Sequence, residues 1–147
     1  MKILTGSEWR SYDFTGQSVA VVVPADLAAD IVPAVVRTAR AVKVFQQEPA
    51  WVAPLGVPVV RNRLARLHLR LTIKDAWTRR LLTPTRFGRR DVLISPEFYR
   101  ALQQPHCKLI AWPVYAIVPH GVRTAEGIEH RVDCIIVSHA LKKELAA

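Results

Sequence analysis

Residues 18–46 read SVAVVVPADLAADIVPAVVRTARAVKVFQ, and this stretch decides the fold. It opens with a continuous apolar run, Val19–Val23, and closes with a second run, Val42–Phe45, which is apolar except for Lys43. A run without alternation is typical of a strand covered on both faces in a parallel sheet. Pro24 cannot donate to a strand ladder and suits the first turn of a helix. A strand, a helix and a second strand within about thirty residues predict a βαβ unit.

The helix of this unit is predicted over residues 25–40. Pro33 lies inside it and is expected to bend it or loosen its first turn. Apolar and small residues recur at spacings of three and four, and we expect this stripe to face the sheet: Leu27, Ile31, Ala34, Val35 and Thr38.

A dinucleotide site at the turn before this helix requires small residues in the pattern G-x-G-x-x-G/A. The three positions are Val23, Ala25 and Ala28 here. Ala28 permits close packing of helix and strand, but Val23 disfavours the positive φ of a tight turn. Ala25 adds a methyl group where pyrophosphate approaches the backbone, and Asp26 puts a carboxylate at the positive end of the helix dipole. The pattern predicts a dinucleotide-binding fold with a poor dinucleotide site.

Blocks along the chain resemble the nicotinamide-nucleotide domain of flavin-dependent monooxygenases of the Baeyer–Villiger type. The resemblance runs from about Ser7 to Leu141 and keeps the family's order of blocks: SEWRSYDFTGQSVAVVV (7–23), IVPAVV (31–36), VKVFQQEPAWVAP (42–54), RRDVLISPEFYRAL (89–102) and KLIAWPVYAIVPHGVRTAEGIEHRVDCIIVSHAL (108–141). It implies an α/β fold, a three-layer Rossmann-like domain with a parallel sheet and a β-meander.

The chain departs from the family where the resemblance places the nucleotide. Thr5 stands at the position of a fingerprint His that precedes Trp9, and Gln47 replaces the basic residue that reads the 2′-phosphate of NADPH. Ser138-His139-Ala140 replaces a terminal Ala-Thr-Gly. By resemblance, the family's nucleotide site maps onto five positions: Val23, Ala25, Ala28, Gln47 and His139.

The remaining elements are read from apolar runs and breakers. Residues 2–17 are predicted as a lead-in segment and residues 48–60 as a loop, in which Trp51 either covers a ligand crevice or closes the edge of the core. A helix is predicted to start at Ser95-Pro96-Glu97, with Ser95 as its N-cap. Strands are predicted at 91–95, 108–112 and 134–137, a meander at 114–118, 121–124 and 128–132, and a helical tail at 141–147.

Half of the 147 residues are apolar, which predicts one domain over 1–147 with a substantial core. No apolar run reaches the length of a membrane span, and residues 1–13 lack the core of a signal peptide. These features favour a cytoplasmic protein. Cys107 and Cys134 have no metal-ligand spacing and are interpreted as core thiols.

Positive charge is concentrated in residues 61–90, a basic helical segment inserted in the domain. Its ten Lys and Arg against one Asp give a net charge of +9, the net charge of the whole chain. One apolar line at helical spacing, Leu64, Leu67 and Leu71, adjoins a cationic line. The segment is either a solvated face or a site for an anionic partner, formed by Arg63, Arg66, Arg70, Lys74, Arg89 and Arg90.

No histidine has a catalytic partner at an interpretable spacing, and no metal-ligand cluster is visible. Hydride transfer needs a flavin beside the nicotinamide, and the resemblance implies a flavin domain that these 147 residues do not contain. The leading hypothesis is a non-catalytic interaction or regulatory module without a cofactor, acting as a homodimer or with a protein partner. That partner is an acidic protein or a separate flavoprotein. The alternatives are an NADP(H)-binding accessory subunit of a separate flavin monooxygenase, and anion or nucleic-acid binding through residues 61–90.

Overall fold

A parallel five-stranded sheet forms the centre of the molecule in the computed structural model, which describes residues 1–45, 51–53, 61–83, 92–94 and 97–146. Its strands lie in the order β1 (Lys2–Thr5), β10 (Cys134–Val137), β2 (Ser18–Val22), β3 (Ala41–Phe45) and β6 (Cys107–Ile110). The predicted strands of the βαβ unit and the strand at 134–137 are confirmed. The strand predicted at 108–112 begins one residue earlier and ends two residues earlier.

The prediction of a lead-in segment over residues 2–17 was wrong for its first residues, which form a strand. Lys2–Thr5 forms the edge strand β1 and pairs in parallel with β10, with Lys2 opposite Cys134 and Thr5 opposite Val137. A short 3-10 helix follows at Glu8–Arg10. The end of β1 therefore joins the carboxyl edge of the sheet.

One face of the sheet is covered by α1 (Ala25–Val36), which ends four residues before the predicted limit of 40. Its buried side is rotated from the predicted stripe, because Leu27, Ala34 and Thr38 are exposed. The residues that α1 buries are Ala28, Ala29, Ile31, Val32, Val35 and Val36. They share a core with the side chains on one side of the sheet, such as Val19 and Val21.

The opposite face is covered by the predicted antiparallel meander, which is confirmed as β7 (Val114–Val118), β8 (Gly121–Thr124) and β9 (Glu129–Arg131). Helix α5 (His139–Ala146) lies against β7. The alternate side chains of the central strands, including Ala20, Val22 and Ile135, pack there against Val114 and Val122. The sheet therefore has a helical layer on one side and the meander with α5 on the other.

The basic segment is not one helix. Within its described part, α2 (Arg61–Thr72) and α3 (Ala76–Leu82) are separated by Ile73-Lys74-Asp75. Asp75 caps α3, because its Oδ2 accepts from Thr78 N at 2.8 Å and from Thr78 Oγ1 at 2.7 Å. Lys74 therefore lies outside the helix on which it was predicted to continue a cationic line.

Two members of the apolar line of α2, Leu67 and Leu71, do not face the core, and the Leu64 side chain lies outside the described residues. Leu67 and Leu71 are 51% and 71% exposed, whereas Leu69 and Ile73 are 3% and 0% exposed. Helix α2 therefore packs through Leu69, with Ile73 just beyond its end.

Three further short elements, two strands and a helix, lie near α1 and α2. Trp51–Ala53 is a strand, β4, within the predicted loop, and it pairs in parallel with β5 (Val92–Ile94). Helix α4 (Phe98–Leu102) has Glu97 at its N-cap, so the predicted start at Ser95 was wrong. It packs against α1 and α2.

Candidate nucleotide-binding crevice

A crevice of about 290 Å³ opens at the carboxyl edge of the sheet, where β1, β10 and β2 end and α1 begins. Open α/β sheets bind ligands at this edge, outside the ends of the strands where the chain changes direction across the sheet. The walls are mainly apolar and include Trp9, Val23 and Leu27. The position agrees with a nucleotide site, but the volume lies at the low end for any ligand pocket.

The turn between β2 and α1 follows a course that does not use glycine. Among the described residues every positive φ belongs to a glycine, so Val23 does not adopt the left-handed conformation that the fingerprint turn requires. Its side chain is 4% exposed and lines the crevice. Pro24 follows as the N-cap, with φ −58° and ψ 156°, and it brings no N–H group to the helix end. The turn therefore presents a valyl side chain and a proline where the fingerprint presents bare backbone.

Carboxylates on α1 add negative charge beside this turn. Asp26 is exposed in the first helical turn, and Asp30 is an exposed residue of the crevice wall. A fixed carboxylate beside a phosphate raises the electrostatic energy of binding and opposes the helix dipole. Arg10 also lines the crevice, with its guanidinium carbon 5.2 Å from the centre of the Trp9 ring.

His139 begins α5 and lines the crevice from the end of β10. It faces Gly6, whose φ is +59°, and a Cβ on Gly6 would lie 3.1 Å from His139 Nε2. Glycine adopts this backbone conformation without strain, and any other residue would bring its Cβ into tight contact with the imidazole. Gly6 thus lets the rim of the crevice close on the histidine.

Glu8 fixes the backbone that leads into this rim. Its Oε2 accepts from Thr5 N at 2.6 Å and from Thr5 Oγ1 at 3.2 Å. These hydrogen bonds hold the pKa of the Glu8 carboxyl below its usual value, and the bond from the Thr5 backbone N–H has the larger effect. Thr5, at the position that the resemblance assigns to a fingerprint His, is therefore engaged in a local structural contact.

Two of the predicted nucleotide-site residues meet in the crevice: Val23 and His139 line it together. Ala25 is the first residue of α1, and Ala28 is buried in the core beneath the helix. Gln47 lies outside the described residues. Gly6 and Arg10 were missed because residues 2–17 were interpreted as a lead-in. The sequence signal for a strand and turn there was the short apolar pair Ile3-Leu4, with Gly6 two residues later.

Three of the predicted anion-binding residues, Arg66, Arg70 and Lys74, are described and do not line the crevice. Arg66 and Arg70 are exposed on α2, and Lys74 is exposed beyond its end. Arg63 lies in α2, while Arg89 and Arg90 lie outside the described residues. Within the described ranges, no group of three His, Cys, Asp or Glu side chains is placed to hold a metal ion. No helix among those residues is long and apolar enough to cross a membrane.

The fold and the crevice together define a Rossmann-like α/β protein with a site at the carboxyl edge of its sheet. Solved structures with this fold include OTEMO in complex with FAD and NADP, which matches 94% of this chain and 42% of its own with a TM-score of 0.79 and 17% identity. An open cyclohexanone monooxygenase matches with a TM-score of 0.78 and 13% identity, over 94% of this chain and 43% of its own. At these identities the likeness establishes the fold.

The homologues of the chain are Baeyer–Villiger and FAD-binding monooxygenases. A Baeyer–Villiger monooxygenase of Streptomyces coelicolor is 24% identical over 92% of this chain, and the FAD-binding monooxygenase ktnD of Aspergillus niger is 25% identical over 93%. A Baeyer–Villiger monooxygenase of Pseudomonas aeruginosa is 35% identical over 57%. The chain spans about a third of the first two relatives, 34% and 30% of their lengths. No protein-family model matches it.

Proposed function

We propose that the chain is a flavin-monooxygenase-like nucleotide domain that no longer binds NADP(H) tightly and that acts as an interaction or regulatory module. The proposal depends on one observation, the Val23-Pro24-Ala25 turn. It fills the place of the pyrophosphate-binding glycines with a side chain and a residue without an N–H group. The Asp30 carboxylate in the crevice wall supports the same conclusion.

One observation favours the second candidate, an NADP(H)-binding accessory subunit of a separate flavin monooxygenase. No side chain caps the start of α1, and this helix end lies at the edge of the crevice. Uncapped backbone N–H groups at a helix N-terminus attract anions. The relatives with solved structures include proteins whose complexes contain NADP.

Titration calorimetry with NADPH distinguishes the two functions. We expect no saturable binding of NADPH by the chain at low micromolar concentrations, whereas OTEMO, measured in parallel, provides a positive control. Low micromolar binding would contradict the proposal and favour the accessory subunit. In that case Leu27→Trp, which enlarges a crevice residue, should abolish binding, and Ile128→Trp, at an exposed site in the meander, should not.

A further inference from the structure

The outward face of α2 and the start of α3 carry exposed apolar side chains among cations. Leu67 and Leu71 lie four residues apart on α2, so they are neighbours on one face, and they are 51% and 71% exposed. Trp77, 61% exposed, lies in the first turn of α3. Large apolar side chains clustered on a surface are characteristic of interaction sites. We call this surface the α2–α3 patch: Leu67, Leu71 and Trp77, with the exposed cations Arg70, Lys74 and Arg80.

The inward face of α2 holds the patch in place. Leu69 and Ile73 are buried in the core, and the His68 ring packs on Tyr99 of α4 with ring centres 5.0 Å apart. Leu69 lies on the side of the helix opposite Leu67 and Leu71, and His68 lies at the flank between the two sides. The two leucines are therefore exposed because the packing of α2 directs them outward.

The break between α2 and α3 is also fixed. Gln103 Oε1 accepts from Lys74 N at 3.3 Å, and Gln103 Nε2 donates to the carbonyl oxygen of Thr72 at 2.5 Å. Asp75 caps α3 through Thr78. A surface held in this way loses little conformational entropy when a partner binds.

The positive charge of the patch is not balanced by acidic residues in the same segment of the chain. Asp75 is the one carboxylate in residues 61–83, and its Oδ2 is engaged by Thr78. The salt bridges that join described residues pair Arg37 with Glu97, Arg40 with Asp133, and Arg123 with Glu129. A second copy placed on the patch by a two-fold axis would oppose cations with cations.

We propose that the α2–α3 patch binds an acidic, amphipathic segment of another protein. Leucines and a tryptophan match apolar side chains at helical spacing, and the flanking cations match carboxylates. Six of the seven cations in residues 61–83 are Arg, the residue suited to paired hydrogen bonds with a carboxylate. The exposed side chains of Leu67 and Leu71 would contribute nothing to binding a nucleic-acid backbone, so a protein fits the surface better. This assignment rests on the proposed role as an interaction module and names its partner's chemistry.

A synthetic helical peptide of about 18 residues, with Leu at every third or fourth position and Glu elsewhere, is the probe. We expect saturable binding by fluorescence anisotropy that weakens as salt rises from about 50 to 300 mM. Leu67→Ser/Leu71→Ser and Arg70→Gln/Lys74→Gln should each lower the affinity about tenfold. The matched control Ile128→Ser/Arg131→Gln changes an exposed apolar residue and a cation in the meander and should bind like the wild type.

Circular dichroism establishes that each variant is folded, and Leu71→Ser alone, at the most exposed of these positions, replaces the double variant if it is not. The proposal is overturned if the peptide does not bind, if a poly-Glu peptide of equal charge binds equally well, or if the leucine variants bind like the wild type. Tighter binding of duplex DNA or of phosphatidylserine vesicles than of the peptide would also overturn it. NADPH is absent from every mixture, so the peptide experiment tests the α2–α3 patch independently of the calorimetric test of NADPH binding.

Discussion

Cys107 and Cys134 are the two thiols of the chain, and both are buried in strands of the parallel sheet. Burial raises the pKa of the Cys107 thiol to about 12 and that of the Cys134 thiol to about 11. A thiol with so high a pKa is almost entirely protonated near neutral pH and is a poor nucleophile. These environments agree with the interpretation of both residues as core thiols.

The raised pKa values predict a loss of stability in alkali. In the unfolded chain a thiol has a pKa near 8.5, so the folded state holds protons that the unfolded state loses as the pH rises above about 8.5. The stabilisation is complete below that pH and is lost progressively towards pH 11 to 12. As the pH rises through this range, ionisation of each thiol in the unfolded chain should lower the free energy of unfolding by at most about 1.4 kcal/mol per pH unit.

Urea denaturation between about pH 8 and 10.5 measures this effect, with Cys107→Ala/Cys134→Ala as the comparison. Other titrating groups are common to both proteins, so the difference in slope reports the thiols. The double variant should have the flatter profile. Equal slopes, or rapid reaction of either thiol with a disulfide reagent in the folded protein at pH 8, would contradict the buried environments.

At the scale of elements, α2 offers a matched pair of leucines. Leu69→Ala removes a side chain that is 3% exposed and should lower the free energy of unfolding by about 2–4 kcal/mol. Leu71→Ala removes one that is 71% exposed and should change it by less than about 0.5 kcal/mol. Denaturant melts of the two variants measure the difference. A larger loss for Leu71→Ala would mean that α2 packs through the line predicted from the sequence.

The packing of α2 shows where sequence reasoning stops. Helical spacing picks out Leu64, Leu67 and Leu71, but the helix packs through Leu69. The orientation of α2 is fixed by its packing on α4, where the His68 ring lies against the Tyr99 ring. Such a contact joins distant parts of the chain and leaves no local signal.

Elements with a strong local pattern were predicted well. The βαβ strands and β10 are mainly apolar runs, interrupted in β3 by Lys43, and the meander has clear turns, as at Ala125-Glu126-Gly127. Strand β1 was missed because it has only Ile3 and Leu4 as apolar residues and its partner, Cys134–Val137, follows about 130 residues later. In the crevice, Val23 was found from the motif and His139 from the resemblance, whereas Gly6 depended on recognising β1.

At the scale of the whole molecule, β10 holds the layers together. It lies between β1 and β2, and its neighbouring residues point to opposite faces of the sheet. Ile135 packs towards the meander, and Ile136 packs with the core beneath α1. Both are essentially inaccessible to solvent, at 0% and 1% exposure. The two cores therefore share β10, as they also share β2.

This sharing predicts that the described layers unfold together. Ile135→Ala and Ile136→Ala should each lower the free energy of unfolding by about 2–5 kcal/mol, and each variant should keep a single transition in urea, whether Trp fluorescence or far-UV circular dichroism is followed. Ile128→Ala, at a residue that is 51% exposed in the meander, is the control and should change stability by less than about 0.5 kcal/mol. Two separate transitions in Ile135→Ala would show that the meander can unfold alone, and they would contradict this prediction. We expect coupling because unfolding of the meander alone would expose the apolar face of the sheet to water.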